Sequence, residues 1–155
     1  MIETFTLKQQ KAIEEKTKQL REILDGTLNP KELAQSITQR RLEWLAKNRI
    51  LLRTDLPLLE STLRLLIYNH MGVEEGISTE MISENLLRIE SRNFCPYLEA
   101  CQWLGMDTRF VCKEIGEPSI IAFFHEINPH LDFYRNYDKI RPYSDYCEEF
   151  LEASK

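Results

Sequence analysis

Four cysteines, Cys95, Cys101, Cys112 and Cys147, are the residues of this chain whose types and settings best suit chemistry. Cys95 is followed by Pro96, and proline is favoured at the first position of a helix. A thiol at a helix N-terminus meets free backbone N–H groups and the positive end of the dipole, which stabilise a thiolate. Arg88 or Arg92, just upstream, would add positive charge. The same position also suits a small buried hydrophobe. Residue type leaves both readings open.

The other three cysteines differ in setting. Cys101 is three residues from both Leu98 and Leu104, so it shares an apolar helix face and reads as core. It lies six residues from Cys95, or about 600° of helical rotation, which puts the two on different faces. Cys112 stands beside Val111 and three before Ile115, and periodicity does not decide its role. Cys147 falls in a segment whose apolar positions read as Tyr146 and Phe150. That places it on the opposite face with Asp145 and Glu149, an odd setting for packing alone.

A metal site built on Cys95, Cys112 and Cys147 is the alternative. The spacing C-x5-C-x10-C-x34-C contains none of the close pairs that point two sulfurs at one zinc or iron–sulfur centre. His70, His125 and His130 are each isolated in sequence. The chain has no glycine-rich phosphate loop, no nucleophile elbow and no H-E-x-x-H motif. No cofactor is assigned. Arg135 and Arg141 lie among Phe123, Phe124, Phe133, Tyr137, Tyr143 and Tyr146. They suit a small ligand bearing a carboxylate, which guanidinium grips bidentately.

The elements that must position these residues come in two runs. Three helices fill the first 71 residues. The first opens on the capping box Thr6-Leu7-Lys8-Gln9 and stops at Asp25-Gly26. The second opens on Asn29-Pro30, and the third near Thr54-Asp55 with Pro57 in its first turn. They read as packing helices without catalytic residues, and Arg40-Arg41 as a solvated face. Beyond Gly72, alternation predicts a strand near 85–94, running into a helix over 96–105. A helix from Asp107 to Gly116 and another from Pro118 to Glu126 follow. Two strands complete the pattern, one through Leu131, Phe133, Arg135 and Tyr137, the other from Tyr143 to Leu151. The expected class is α+β, with N-terminal helices followed by a small mixed unit containing an antiparallel sheet.

With 155 residues the chain fits one domain, 1–155, divided into a helical segment (1–72) and a cysteine-bearing segment (73–155). No apolar run reaches membrane-spanning length, and Met-Ile-Glu-Thr lacks the basic start of a secretory signal. The expected location is cytoplasmic, where cysteines stay thiols or ligands. Residues 1–55 carry 11 Lys+Arg against 8 Asp+Glu, whereas residues 56–155 carry 9 against 17. The basic half is too dilute to displace counterions from a duplex, so nucleic acid is not an expected partner. The expected partner is a small molecule, with a homo-oligomer through the N-terminal helices as a further possibility.

From Leu86 onward the chain resembles the L-2-amino-thiazoline-4-carboxylic acid hydrolase family. The likeness rests on Asn93-Phe94-Cys95-Pro96-Tyr97-Leu98-Glu99, Leu104-Gly105, Val111-Cys112, Asn128-Pro129 and Asp145-Tyr146-Cys147-Glu148-Glu149-Phe150. The closing pattern is also similar to that of 4-vinyl reductase-type ligand-binding domains. The resemblance implies a hydrolase that opens a thiazoline ring, with Cys95, Cys112 and Cys147 at its site. Two features depart from the family pattern. Glu114 and Glu117 stand where an aspartate would follow the second cysteine, and Arg141-Pro142-Tyr143-Ser144-Asp145 lacks a glycine. The expected function is hydrolysis of a cyclic C–N bond with Cys95 as nucleophile, Cys112 and Cys147 lining the pocket, and Arg135 or Arg141 on a carboxylate. The alternative is a non-catalytic ligand, redox or metal sensor using the same thiols.

Overall fold

The computed structural model describes residues 4–154. Met1 to Glu3, on which the reading of the chain's start partly rests, and Lys155 lie outside them. Helix α1 (Leu7–Leu24) opens on the expected capping box, in which the Thr6 side chain and the Gln9 side chain each satisfy the other's backbone amide. Helix α2 (Pro30–Asn48) is capped by Asn29, whose side chain accepts from the Lys31 amide. Helix α3 (Leu58–Arg64) begins three residues later than expected because Pro57 serves as its N-cap. It then relaxes into a π-helical turn over Leu65–His70.

The second run holds the sheet and the remaining helices. Strands β1 (Ile77–Ser83) and β2 (Leu86–Ser91) form a hairpin, followed by α4 (Pro96–Leu104). Helix α4 ends at Gly105, whose φ of 70° supplies the left-handed cap. Helix α5 (Thr108–Val111), a π-helical turn (Cys112–Gly116) and α6 (Glu117–Ile127) then run on without a break. Gly116 keeps right-handed helical dihedrals, so it does not end a helix as expected. Strands β3 (Leu131–Asn136) and β4 (Cys147–Ala153) complete an antiparallel sheet in the order β1-β2-β4-β3. The expected α+β class, helices first and an antiparallel sheet after, is the observed one.

Two differences from the sequence reading have physical causes. Strand β1 escaped notice because six of its seven residues are exposed, so no apolar face marks it. Strand β4 starts at Cys147 rather than Tyr143, because residues 141–146 form turns at the cis peptide Arg141-Pro142. Its faces are also the reverse of those expected. Leu151 is fully buried, so Cys147, Glu149 and Leu151 point inward, while Phe150 stacks on Tyr134 across the outer face.

The inward sheet face is apolar at one end and polar at the other. Leu87 pairs with Leu151, and Leu151 with Phe133, over a core shared with Phe123 and Phe124 of α6 and Leu63 and Leu66 above α3. Two residues further along, Ile89 pairs with Glu149, and Glu149 with Arg135. Ser91 and Cys147 form the next pair. A second core joins Leu20 of α1 and Leu33 and Ile37 of α2 to Ala100 and Cys101 of α4. The helical segment therefore packs directly on the cysteine-bearing one.

His70 is part of the first core's wall, tilted against Trp44 at 4.5 Å and stacked with Phe123 at 6.0 Å. Burial, with help from Arg41, pushes its pKa down to about 4. It is therefore neutral when folded but takes up a proton below about 6.5 when unfolded. The folded state should lose stability as pH falls from about 6.5 toward 4. Chemical unfolding at pH 7 and pH 4.5 will show this as a falling midpoint, and His70→Gln should reduce the difference. A second test concerns Gly76, with φ of 90° and an absent Cβ that would lie 2.7 Å from the Asn93 nitrogen. Gly76→Ala should cost about 1–3 kcal/mol in thermal unfolding, since backbone must shift to admit it.

Candidate functional site

The polar end of the inward sheet face meets the N-terminus of α4 and the π-helical turn, and the thiols gather there. Cys95 is the N-cap of α4, in an extended conformation. The structure brings Cys95, Cys112 and Cys147 within electrostatic range of one another, and Cys101 within range of Cys95 and Cys112. Cys101 points into the second core and is 1% exposed, consistent with its packing role. All four cysteines are free thiols. Asp145, expected beside Cys147 and Glu149, is instead exposed in the preceding turn.

Arg141 ties three elements together around the sulfurs. Its backbone amide and Nε both donate to Cys147 Sγ, at 3.4 and 3.3 Å. Its Nη1 donates to the Asn93 carbonyl at 2.7 Å, just ahead of Cys95. Its own carbonyl accepts from the buried Thr108 hydroxyl at the start of α5, also at 2.7 Å. The sequence reading assigned Cys95 a cation from Arg88 or Arg92, and the structure supplies Arg141 instead. Arg88 sits on the outer face, held by Glu148 at 2.7 Å and Glu90 at 2.8 Å. Arg92 pairs with Glu90.

Beneath the thiols lies a buried ion pair. Arg135 Nη2 reaches Glu149 Oε2 at 3.4 Å, with side chains only 10% and 14% exposed. Ser91 donates to the other Glu149 oxygen at 2.8 Å. Burial alone would lower the Arg135 pKa, but the Glu149 carboxylate outweighs it and holds the guanidinium charged. Arg135 Nε is buried with no partner, leaving one strong donor free at the site. Tyr137 donates a hydrogen bond to Glu117. Burial raises the Tyr137 pKa, and this bond raises it further. Glu117 thus joins the cluster, whereas Glu114 is exposed.

Burial opposes the thiolate expected at Cys95. Burial pushes its pKa up, and the Leu98 amide and Arg141 only partly counter this. Cys112 is pushed up to about 12 by burial, with Arg135 opposing. Both rest as thiols at neutral pH. Among the described residues, no three His, Cys, Asp or Glu side chains are grouped to hold a metal ion. Two surface grooves, about 790 Å³ beside α2 and about 620 Å³ beside α1, contain none of the cysteines. No described helix is long and apolar enough to cross a membrane.

The signals that sequence reading missed were Glu149 as the partner of Arg135, and Tyr137 as the partner of Glu117. The first was available in principle, because a two-residue alternation places Cys147, Glu149 and Leu151 on one face. The second pairing spans the α6–β3 connection and left no local pattern. Comparison with protein-family models, curated proteins and solved structures finds no match to this chain.

Removing one partner of a buried pair strands the other charge. Glu149→Gln should therefore cost about 3–5 kcal/mol in urea unfolding. The double variant Arg135→Met/Glu149→Leu should lose less than the two single variants together.

Proposed function

We propose that this protein is a thiol-dependent hydrolase of a small cyclic C–N substrate resembling L-2-amino-thiazoline-4-carboxylate, with Cys95 as nucleophile. The observation that carries this reading is the meeting of Cys95, Cys147 and Arg141 with the buried Arg135–Glu149 pair, all at one end of the sheet. Ionisable groups held out of water at such density are costly to fold and are typical of reaction sites. The resemblance from Leu86 onward supports the same assignment.

The chemistry would run in two steps. Cys95 Sγ adds to the ring carbon, the thiol proton passes to the ring nitrogen, and the ring C–N bond breaks to leave an amine. Water then adds to the same carbon, its oxygen replaces Sγ, and its proton returns to the sulfur. The free Arg135 Nε would donate to the substrate's developing negative charge. Glu149 would accept the proton of the attacking water. Arg141 would hold the Asn93 carbonyl and Cys147, fixing the chain on both sides of the nucleophile, and Cys112 would line the pocket.

A second reading is favoured by one observation. Burial keeps Cys95 and Cys112 protonated, which suits a sensor that binds a ligand without turnover rather than one that reacts with oxidants. The two readings part on ring opening of L-2-amino-thiazoline-4-carboxylate, followed by mass spectrometry. Under the hydrolase reading, wild type opens the ring, Cys95→Ser loses about a thousandfold in rate, and Cys101→Ala retains it. The rate should climb as pH rises above neutral, because Cys95 rests as a thiol. No ring opening by wild type, or turnover kept in Cys95→Ser, rejects the hydrolase.

A further inference from the structure

The N-terminal helices, read from sequence as packing elements, bring two partly buried cations near Tyr97, two residues after Cys95. Lys16 of α1 places its Nζ 4.9 Å from the centre of the Tyr97 ring, on the first turn of α4. Lys16 is within electrostatic range of both Arg41 and Cys95, and Tyr97 likewise of both. Arg41 of α2 is not part of a solvated face, as expected from sequence. It is partly buried, and its Nε donates to the buried Ser119 hydroxyl at 2.8 Å. Only Arg40 is exposed.

Among the described residues, neither Lys16 nor Arg41 has a carboxylate within ion-pair distance, although the chain as a whole is acidic. The Tyr97 hydroxyl is buried and has no hydrogen-bond partner. Buried polar groups are almost always paired, and leaving one unpaired is destabilising. Burial lowers the pKa of both Lys16 and Arg41, as it does for cations held partly out of water without an anion. For Lys16 it outweighs the opposing pull of the exposed Glu15 carboxylate. Two under-neutralised cations and an orphaned hydroxyl donor beside one thiol form a receptor for a small anion.

The arginines first expected to take a carboxylate are already engaged. Arg135 has its charge neutralised by Glu149, which leaves its Nε as a lone donor, and Arg141 is committed to Cys147 Sγ and the Asn93 carbonyl. We propose that Lys16, Arg41 and the Tyr97 hydroxyl form the subsite that binds the carboxylate of a small-molecule substrate, opening beside the Cys95 thiol. The subsite rests on the reading of Cys95 as the reacting thiol, but not on the identity of the ring that it opens. It makes α1 and α2 part of the substrate site, and it sets the substrate class as small acids rather than neutral rings.

Competitive labelling of the full chain tests this without assuming a substrate. Equimolar iodoacetate and iodoacetamide are offered together, with glutathione as the free-thiol standard, and the ratio of the two adducts on Cys95 is read by mass spectrometry. The carboxylate reagent should be enriched on Cys95 by about tenfold over glutathione, the scale of one charge-assisted hydrogen bond. Lys16→Gln and Arg41→Gln should each bring the ratio back toward that of glutathione. Lys16→Arg and Arg41→Lys keep the charge and should preserve the enrichment, which guards against misfolding as the cause. A wild-type ratio equal to that of glutathione, a ratio insensitive to both Gln variants, or no labelling of native Cys95 overturns the subsite. Ring opening is a separate readout. Enrichment without ring opening keeps the subsite and rejects the hydrolase, and ring opening without enrichment does the reverse.

Discussion

The Arg135–Glu149 pair is the constraint around which the rest of this structure is arranged. It lies on the inward face of the sheet, two residues along from Leu151 and Phe133, where an apolar pair would extend the core. Two charges in that position require dense compensation, because desolvation opposes them. Ser91 takes one carboxylate oxygen, and Glu149 in turn keeps Arg135 charged. The sheet core must therefore stop at this level. The next pair along the same face, Ser91 and Cys147, belongs to a polar compartment that the helices roof over.

The roof explains why the backbone departs from regular helix at this point. A π-helical turn starting at Cys112 joins α5 to α6 and widens the ladder by one residue, and such insertions are frequent at functional sites. Without it Gly116 would be free to end a helix. With it, α6 continues at once, and Glu117 at its first position meets Tyr137 at the end of β3. Ser119, two residues on, anchors Arg41 from α2. The connection between helix and sheet and the connection between helix and helix thus diverge from one irregular turn.

How much of this could be read in the sequence depended on whether the signal was local. The capping box at Thr6, the Asn29-Pro30 start and the Cys95-Pro96 junction are short-range chemistry, and each appears where its residues indicate. The alternation of Leu87, Ile89 and Ser91 correctly marks the buried face of β2. Strand β1 had no such face to show. The faces of β4 were inverted because the aromatic Tyr146 and Phe150 look more apolar than Cys147 and Glu149. Burial here is set by the register with β2 rather than by hydrophobicity. Lys16 and Arg41 were illegible for a different reason: each sits on an amphipathic helix among similar charges, and only tertiary packing distinguishes the cation turned toward Cys95.

The strand order carries a consequence for how the molecule comes into being. Strand β4 comes after every other element in the chain, yet it occupies an interior place between β2 and β3. Those two strands join one sheet only through it. During synthesis, the ribosome must deliver residues 147–153 before the sheet can close and before Glu149 can neutralise Arg135. Until then the hairpin β1–β2 offers an unsatisfied strand edge, and the first cysteines wait apart from the last. Sheet closure therefore waits on residues 147–153, and until they pair, the edge of β2 that faces β4 stays open to other strands.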